Sequence, residues 1–159
     1  FVRAGEWRRA EWAEIDFEAA EWRIPAEKMK MKAPHIVPLA DWPLELLAEL
    51  RVITGYSRYL FPAVSHADRC MSENTLSYLT GRMGYSGIAT PHGFRSLATD
   101  ILNENGWPPD VIERQLAHVE QNKVRAAYHR TEYLPQRKEM MRWYSDFLRE
   151  RYEQAKQAT

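Results

Sequence analysis

The segment TPHGFRSLATDILNENGWPPDVIERQLAHVEQNKVRAAYHR, Thr90 to Arg130, leaves its backbone few options. Thr90-Pro91 reads as an N-cap followed by proline at the first helical position, where a missing N–H costs nothing and φ already suits a helix. The apolar spacing predicts a helix to about Asn103, with Phe94, Leu97, Ala98, Ile101 and Leu102 inward. Asn105-Gly106 is a turn signal. Pro108-Pro109-Asp110 opens a second helix that buries Val111, Ile112 and Leu116 and closes at His118. A third short helix is predicted over Gln121 to Arg130, with Val124, Ala127 and Tyr128 on nearby faces.

This segment carries reactive side chains at marked places. His92 and Arg95 are three apart in the first turns of their helix and share a face. A helix start presents free N–H groups and a positive dipole, which suits an anion. His92 read alone also fits a capping or core histidine, and His118 fits a cation that complements a helix C-terminus. A tyrosine such as Tyr128 is usually core. Only a ring of phosphate-binding groups around it makes it a nucleophile.

Upstream, FVRAGEWRR puts Arg3 and Glu6 three apart. They read either as a surface ion pair or as an arginine aimed at an anion, with Glu6 fixing its orientation. EWAEIDF, EWRIP and HIVPL read as short strands of a small antiparallel sheet. Lys28, Lys30, Lys32 and His35 form a cationic run on the connection between the second and third strands. Asp41 to Thr54 reads as a helix with Leu44, Leu47, Ala48 and Leu50 on its apolar face and Asp41 as its cap. A polar loop, AVSHADRCM, follows Tyr59 to Pro62. Ser72 is then a cap for a helix that buries Leu76, Tyr78 and Leu79 and stops at Gly81 or Gly84. Arg137 to Lys156 is a long final helix with an apolar stripe of Met140, Met141, Tyr144, Phe147, Leu148 and Tyr152, suited to core packing or to a partner.

With 159 residues, no repeat and no long linker, the chain reads as one domain. The 22 Lys and Arg balance 22 Asp and Glu, which counts against a nucleic-acid partner unless the charges segregate in space. The single cysteine, Cys70, supports neither an internal disulfide nor a metal cluster and fits a reducing cytosol. No apolar run of membrane-spanning length and no secretory signal pattern is present. The chain starts at Phe1, inside what reads as a motif, so a fragment of a longer protein is expected.

Five pieces in order, VRAGEW, the lysine hairpin before HIVPL, TPHGFRS, QLAHVE and VRAAYHR, make the chain resemble the catalytic domain of tyrosine recombinases, most closely the integrases of prophages and genomic islands. The resemblance covers nearly the whole chain. It implies an α+β, mostly helical fold with a small antiparallel sheet packed against helices. It also implies that residues 1–159 are a C-terminal catalytic domain, without the N-terminal DNA-binding regions and the helix that normally precedes the first arginine. Ala4 departs from a proline common in close relatives, and Trp7 from an aliphatic residue.

Carried over residue by residue, the resemblance implies that Arg3 and Arg95 clamp the scissile phosphate and that His118 adds a further donor. Lys30, seven residues before Val37, would protonate the leaving 5′-oxygen, with Lys32 the runner-up. His92 would accept or relay the tyrosine proton, Tyr128 would be the nucleophile, and Glu6 would accompany the first arginine. The implied reaction is site-specific DNA cleavage and rejoining through a 3′-phosphotyrosine, with no cofactor and no metal. The implied partners are double-stranded DNA attachment sites, a homotetramer on DNA (with a monomer for the isolated fragment), and accessory DNA-bending or directionality proteins. The implied setting is the bacterial cytosol, with no membrane. Competing readings are a recombinase-like DNA-binding module that does not cut, a type IB topoisomerase-like nicking and rejoining enzyme, and a metal-dependent phosphoesterase using His92, His118 and His129. No carboxylates at ligand spacing support the last of these.

Overall fold

The structure, a computed structural model, describes residues 1–118 and 133–158. Helix α1 (Ala4–Trp7) is a single turn. The three-stranded antiparallel sheet follows, with β1 (Ile15–Asp16), β2 (Glu21–Ile24) and β3 (His35–Pro38) in that order. Trp22 pairs with Val37 and Ile24 with His35. All four are buried, because residues two apart on a strand share a face and directly paired residues lie on the same side. The strand read over EWAEIDF is mostly something else. Glu11 and Glu14 bracket a 3₁₀ turn over Trp12–Glu14, and only Ile15 and Asp16 pair.

Helix α2 (Asp41–Thr54) has the predicted bounds, with Ala40 rather than Asp41 at the cap position. It is a surface helix: no residue is fully buried, Leu44, Leu47 and Leu50 are half-buried, and Ala48 is exposed. The polar loop after Phe61 contains a hairpin of β4 (Pro62–Ala63) and β5 (His66–Cys70). Helix α3 (Thr75–Thr80) has no side-chain cap, and Tyr78 and Leu79 face solvent instead of a core. It runs on through a wide turn over Gly81–Tyr85 in which Gly84 takes φ +89°, a conformation cheap only for glycine.

Helix α4 (Gly93–Glu104) begins two residues later than predicted, although Thr90 does cap this end: its Oγ1 accepts the Gly93 N–H at 3.0 Å. Its buried face is Arg95, Ala98 and Leu102, so Phe94 and Leu97 are exposed rather than inward. Helix α5 (Pro109–Gln115) buries Val111 and Ile112, with Leu116 just beyond it. Helix α6 (Leu134–Gln157) starts a turn earlier than predicted and packs on α2, α5 and β3. Much of its apolar stripe is taken up within the chain. Met140 is in the core, Tyr144 meets Phe1 edge-on at 5.3 Å, and Tyr152 lies 5.6 Å from Trp42. Leu148 and Tyr152 keep much of their surface exposed. Among the described residues no helix is long and apolar enough to cross a membrane.

Two apolar clusters hold these elements. One gathers Ala10, Trp22, Ile24, Met29, Val37 and Leu60 around the sheet. The other gathers Leu102, Val111, Ile112, Leu116 and Met140 among the helices. Adjacent residues divide between them. Val2 packs on the first cluster and Phe1 on the second; Ala117 packs on the first and Leu116 belongs to the second.

A candidate active site at the seam of two cores

These two crossings put Arg3 and His118 immediately beside the seam. Glu6 fixes Arg3. Its carboxylate accepts the Arg3 backbone N–H at 2.8 Å and the Nη1 N–H at 3.0 Å. Glu6 is 4% exposed while the Arg3 side chain is 29% exposed, so the pair is an anchored guanidinium with one side open. Of the two readings of Arg3 and Glu6, the surface ion pair is set aside.

Arg95 reaches the same seam from α4. Its Nη1 donates to the Phe1 carbonyl, and its Nη2 donates to the Leu116 carbonyl and to His118 Nε2, the last at 3.0 Å. Burial first, then the neighbouring Arg3 charge, pull Arg95 below the usual guanidinium range, against the opposing pull of Glu6 and Glu113. Two like charges are thus held close together beside two carboxylates.

His118 is presented by the end of α5. Leu116 is the last right-handed residue, Ala117 takes φ +52°, and the His118 N–H returns to the Glu113 carbonyl at 3.1 Å. This is a Schellman ending with alanine where glycine is usual. The reversal sets His118 Nδ1 at 2.6 Å from Glu113 Oε2. An arginine can only donate, so Nε2 is the acceptor for Arg95 and the ring proton sits on Nδ1, facing Glu113. Glu113 is a neighbour of the candidate site that spacing did not reveal, because the contact arises from the left-handed turn at Ala117.

Lys30 and Lys32 are exposed and line an open cleft together with Arg3, Arg9, Lys28, Glu6 and Glu27. Lys28 differs from them. It is largely buried, and its ammonium donates to the Arg9 carbonyl at 2.9 Å, to Glu11 at 2.8 Å and to Glu14. The cationic run is thus one structural lysine and two presented ones. His92 stands exposed at the cap of α4 with right-handed backbone, three residues before the buried Arg95, whose N–H its carbonyl accepts at 3.0 Å. Tyr128 and its predicted helix lie outside the described residues, as does His129. Among the described residues no cluster of His, Cys, Asp and Glu could hold a metal ion.

The sequence profile of the Phage integrase family matches residues 1–134. This chain belongs to the phage integrase family. The resemblance read from its five motifs is borne out. Its relatives include Prophage integrase IntA of Escherichia coli strain K12, 44% identical over 148 residues, which covers 93% of this chain and 36% of the relative. The Integrase of Enterobacteria phage P4 is 44% identical over 164 residues, covering 93% of this chain and 37% of the relative. This integrase-family chain spans little more than a third of the length of these relatives. The crystal structure of XerA recombinase has the same fold, with a TM-score of 0.62 at 20% identity over 97% of this chain and 53% of that one. The α+β, mostly helical class with its small antiparallel sheet is therefore established.

Proposed function

We propose that the chain is the C-terminal catalytic domain of a site-specific recombinase that cuts and rejoins DNA through a 3′-phosphotyrosine. What supports this most is the convergence of Arg3, Arg95 and His118 at one seam, flanked by the cleft of Lys30 and Lys32. The transition state of phosphodiester cleavage loads charge onto the non-bridging oxygens. Two guanidiniums meet it with planar, permanent charge, and preorganised donors of this kind can each be worth roughly 3 kcal/mol.

In this mechanism the Tyr128 hydroxyl attacks phosphorus, and His92 accepts or relays its proton. The P–O5′ bond breaks and the leaving oxygen takes a proton from Lys30. His118 adds a further contact to the phosphate, with Glu113 orienting its ring at Nδ1. Rejoining is the reverse, with the 5′-hydroxyl of another strand as attacker. The energy of the bond is stored in the phosphotyrosine, so neither a metal nor a nucleotide is needed. The partners are double-stranded attachment sites and further copies of the protein on DNA, with accessory DNA-bending proteins.

Covalent trapping tests this. The protein at its natural length is incubated with a nicked duplex carrying its attachment site and run on a denaturing gel beside Tyr128→Phe. A shifted protein–DNA band that the substitution abolishes is the expected result. No band from protein that binds the site would replace cleavage with DNA binding alone.

A further inference from the structure

Lys28 and Arg9 cross-link two pieces of chain that face each other over the cleft. The Arg9 guanidinium donates to the Gly5 carbonyl at 2.8 Å, within α1, and to the Lys28 carbonyl at 3.1 Å. The Lys28 ammonium donates back to the Arg9 carbonyl at 2.9 Å and to Glu11 and Glu14. An ammonium has three N–H groups, and all three are engaged. Burial works against ionising Glu11, but Lys28 and then Arg58 outweigh it and hold the carboxyl below its usual range. Glu14 is fixed in turn by the Trp22 indole N–H at 2.9 Å. The next residue, Met29, is 3% exposed and belongs to the sheet core. Lys30 is therefore the first free residue beyond a double anchor, polar at Lys28 and apolar at Met29. The other side of the cleft is the turn that carries Arg3.

We infer that Lys28 and Arg9 are positioning residues that set the distance between the Arg3 clamp and the Lys30 ammonium, and so govern proton delivery to the leaving 5′-oxygen. The inference rests on the proposed cleavage reaction. Lys28 cannot itself be the acid, since its protons are committed to Arg9, Glu11 and Glu14. Its effect passes through Lys30. A misplacement of an ångström at a reacting group can cost about 10²-fold. It falls on the one step that needs a proton, which is fission of P–O5′ with its electron pair going to oxygen.

The test uses two suicide duplexes, one with the natural 5′-oxygen at the scissile phosphate and one with a bridging 5′-sulfur. When P–S breaks the thiolate leaves without a proton, so the general acid becomes dispensable. Lys28→Met and Arg9→Met in the natural-length protein should lose about 10- to 100-fold in cleavage rate on oxygen. On sulfur both should return to within about twofold of wild type, as Lys30→Ala should, because only the acid's share of about 10²- to 10⁴-fold is removed. Thermal unfolding accompanies the rates, and Arg9→Met carries the test if Lys28→Met unfolds. Equal losses on both substrates, or no loss on oxygen, would overturn the inference and leave the cleavage mechanism standing. A wild-type protein with no covalent band on either substrate would overturn both.

Discussion

At the scale of single residues, the site is built from side chains with two tasks at once. Arg95 is the clearest case. In the free protein its guanidinium holds the Phe1 and Leu116 carbonyls and His118 Nε2, and in the proposed reaction it faces a phosphate. Arg95→Lys keeps the charge and loses the fork. Cleavage should fall roughly 10²- to 10³-fold, the usual cost of one preorganised donor. A stability loss of about 1–3 kcal/mol should accompany it, because buried carbonyls lose their donor. Single-turnover trapping and urea unfolding measure the two effects separately; equal cleavage rates would contradict the clamp. The arginines, His118 and the presented lysines are legible as residue types at known spacings. Glu113 and Lys28 are not, since nothing local marks an acid five residues before a histidine or separates one lysine from its neighbours.

At the scale of elements, β3, α5 and α6 meet in a buried polar joint. His35 Nε2 lies 3.3 Å from the Gln115 carbonyl, Arg137 Nε donates to Gln115 Oε1 at 2.8 Å, and Arg137 Nη2 donates to the Ile36 carbonyl. Burial, then Arg137 and Arg114, push His35 down from 6.5 to about 3, with Arg95 adding to the effect and the Gln115 bond opposing it. The unfolded chain therefore binds this proton first. The stability that His35 contributes is complete above about pH 6.5 and is lost as pH falls toward 3. Denaturant unfolding across this window should show stability rising with pH, and His35→Gln should flatten the rise. An unchanged slope in the variant would show that other groups carry it. The joint links the strand after the lysine loop to α5, whose C-terminal turn presents His118. Its histidine was read as part of a cationic run, yet burial makes it neutral.

At the scale of the whole molecule, the final helix belongs to the fold. Arg137 and Met140 are 0% exposed, and Glu45 pairs with Arg149 across to α2 at 3.0 Å. Loss of one buried methionine side chain costs about 2–5 kcal/mol against a total stability of about 5–15 kcal/mol. Deleting everything after Tyr133 should therefore abolish cooperative thermal unfolding, whereas ending the chain after Tyr152 should leave it. A sharp transition in the shorter protein would make α6 an appendage. Self-association on DNA is accordingly tested with substitutions at Leu148 and Tyr152, which are 38% and 50% exposed, and not by removing the helix.

The sequence by itself determined the family, the strands β2 and β3, the main helices and the bounds of α2, because caps, prolines and apolar periods act within a few residues and leave local marks. It also marked the residue types of the candidate site. It could not decide which apolar residues face inward on α3 and α4, where Tyr78, Leu79, Phe94 and Leu97 remain exposed, since periodicity does not say whether a partner element covers a face. Nor could it decide that Lys28 is buried and Lys30 presented, or that Arg3, Arg95 and His118 meet. Those outcomes follow from two apolar clusters closing on each other at Phe1-Val2 and Leu116-Ala117, and packing at that distance in sequence is a property of the folded chain alone.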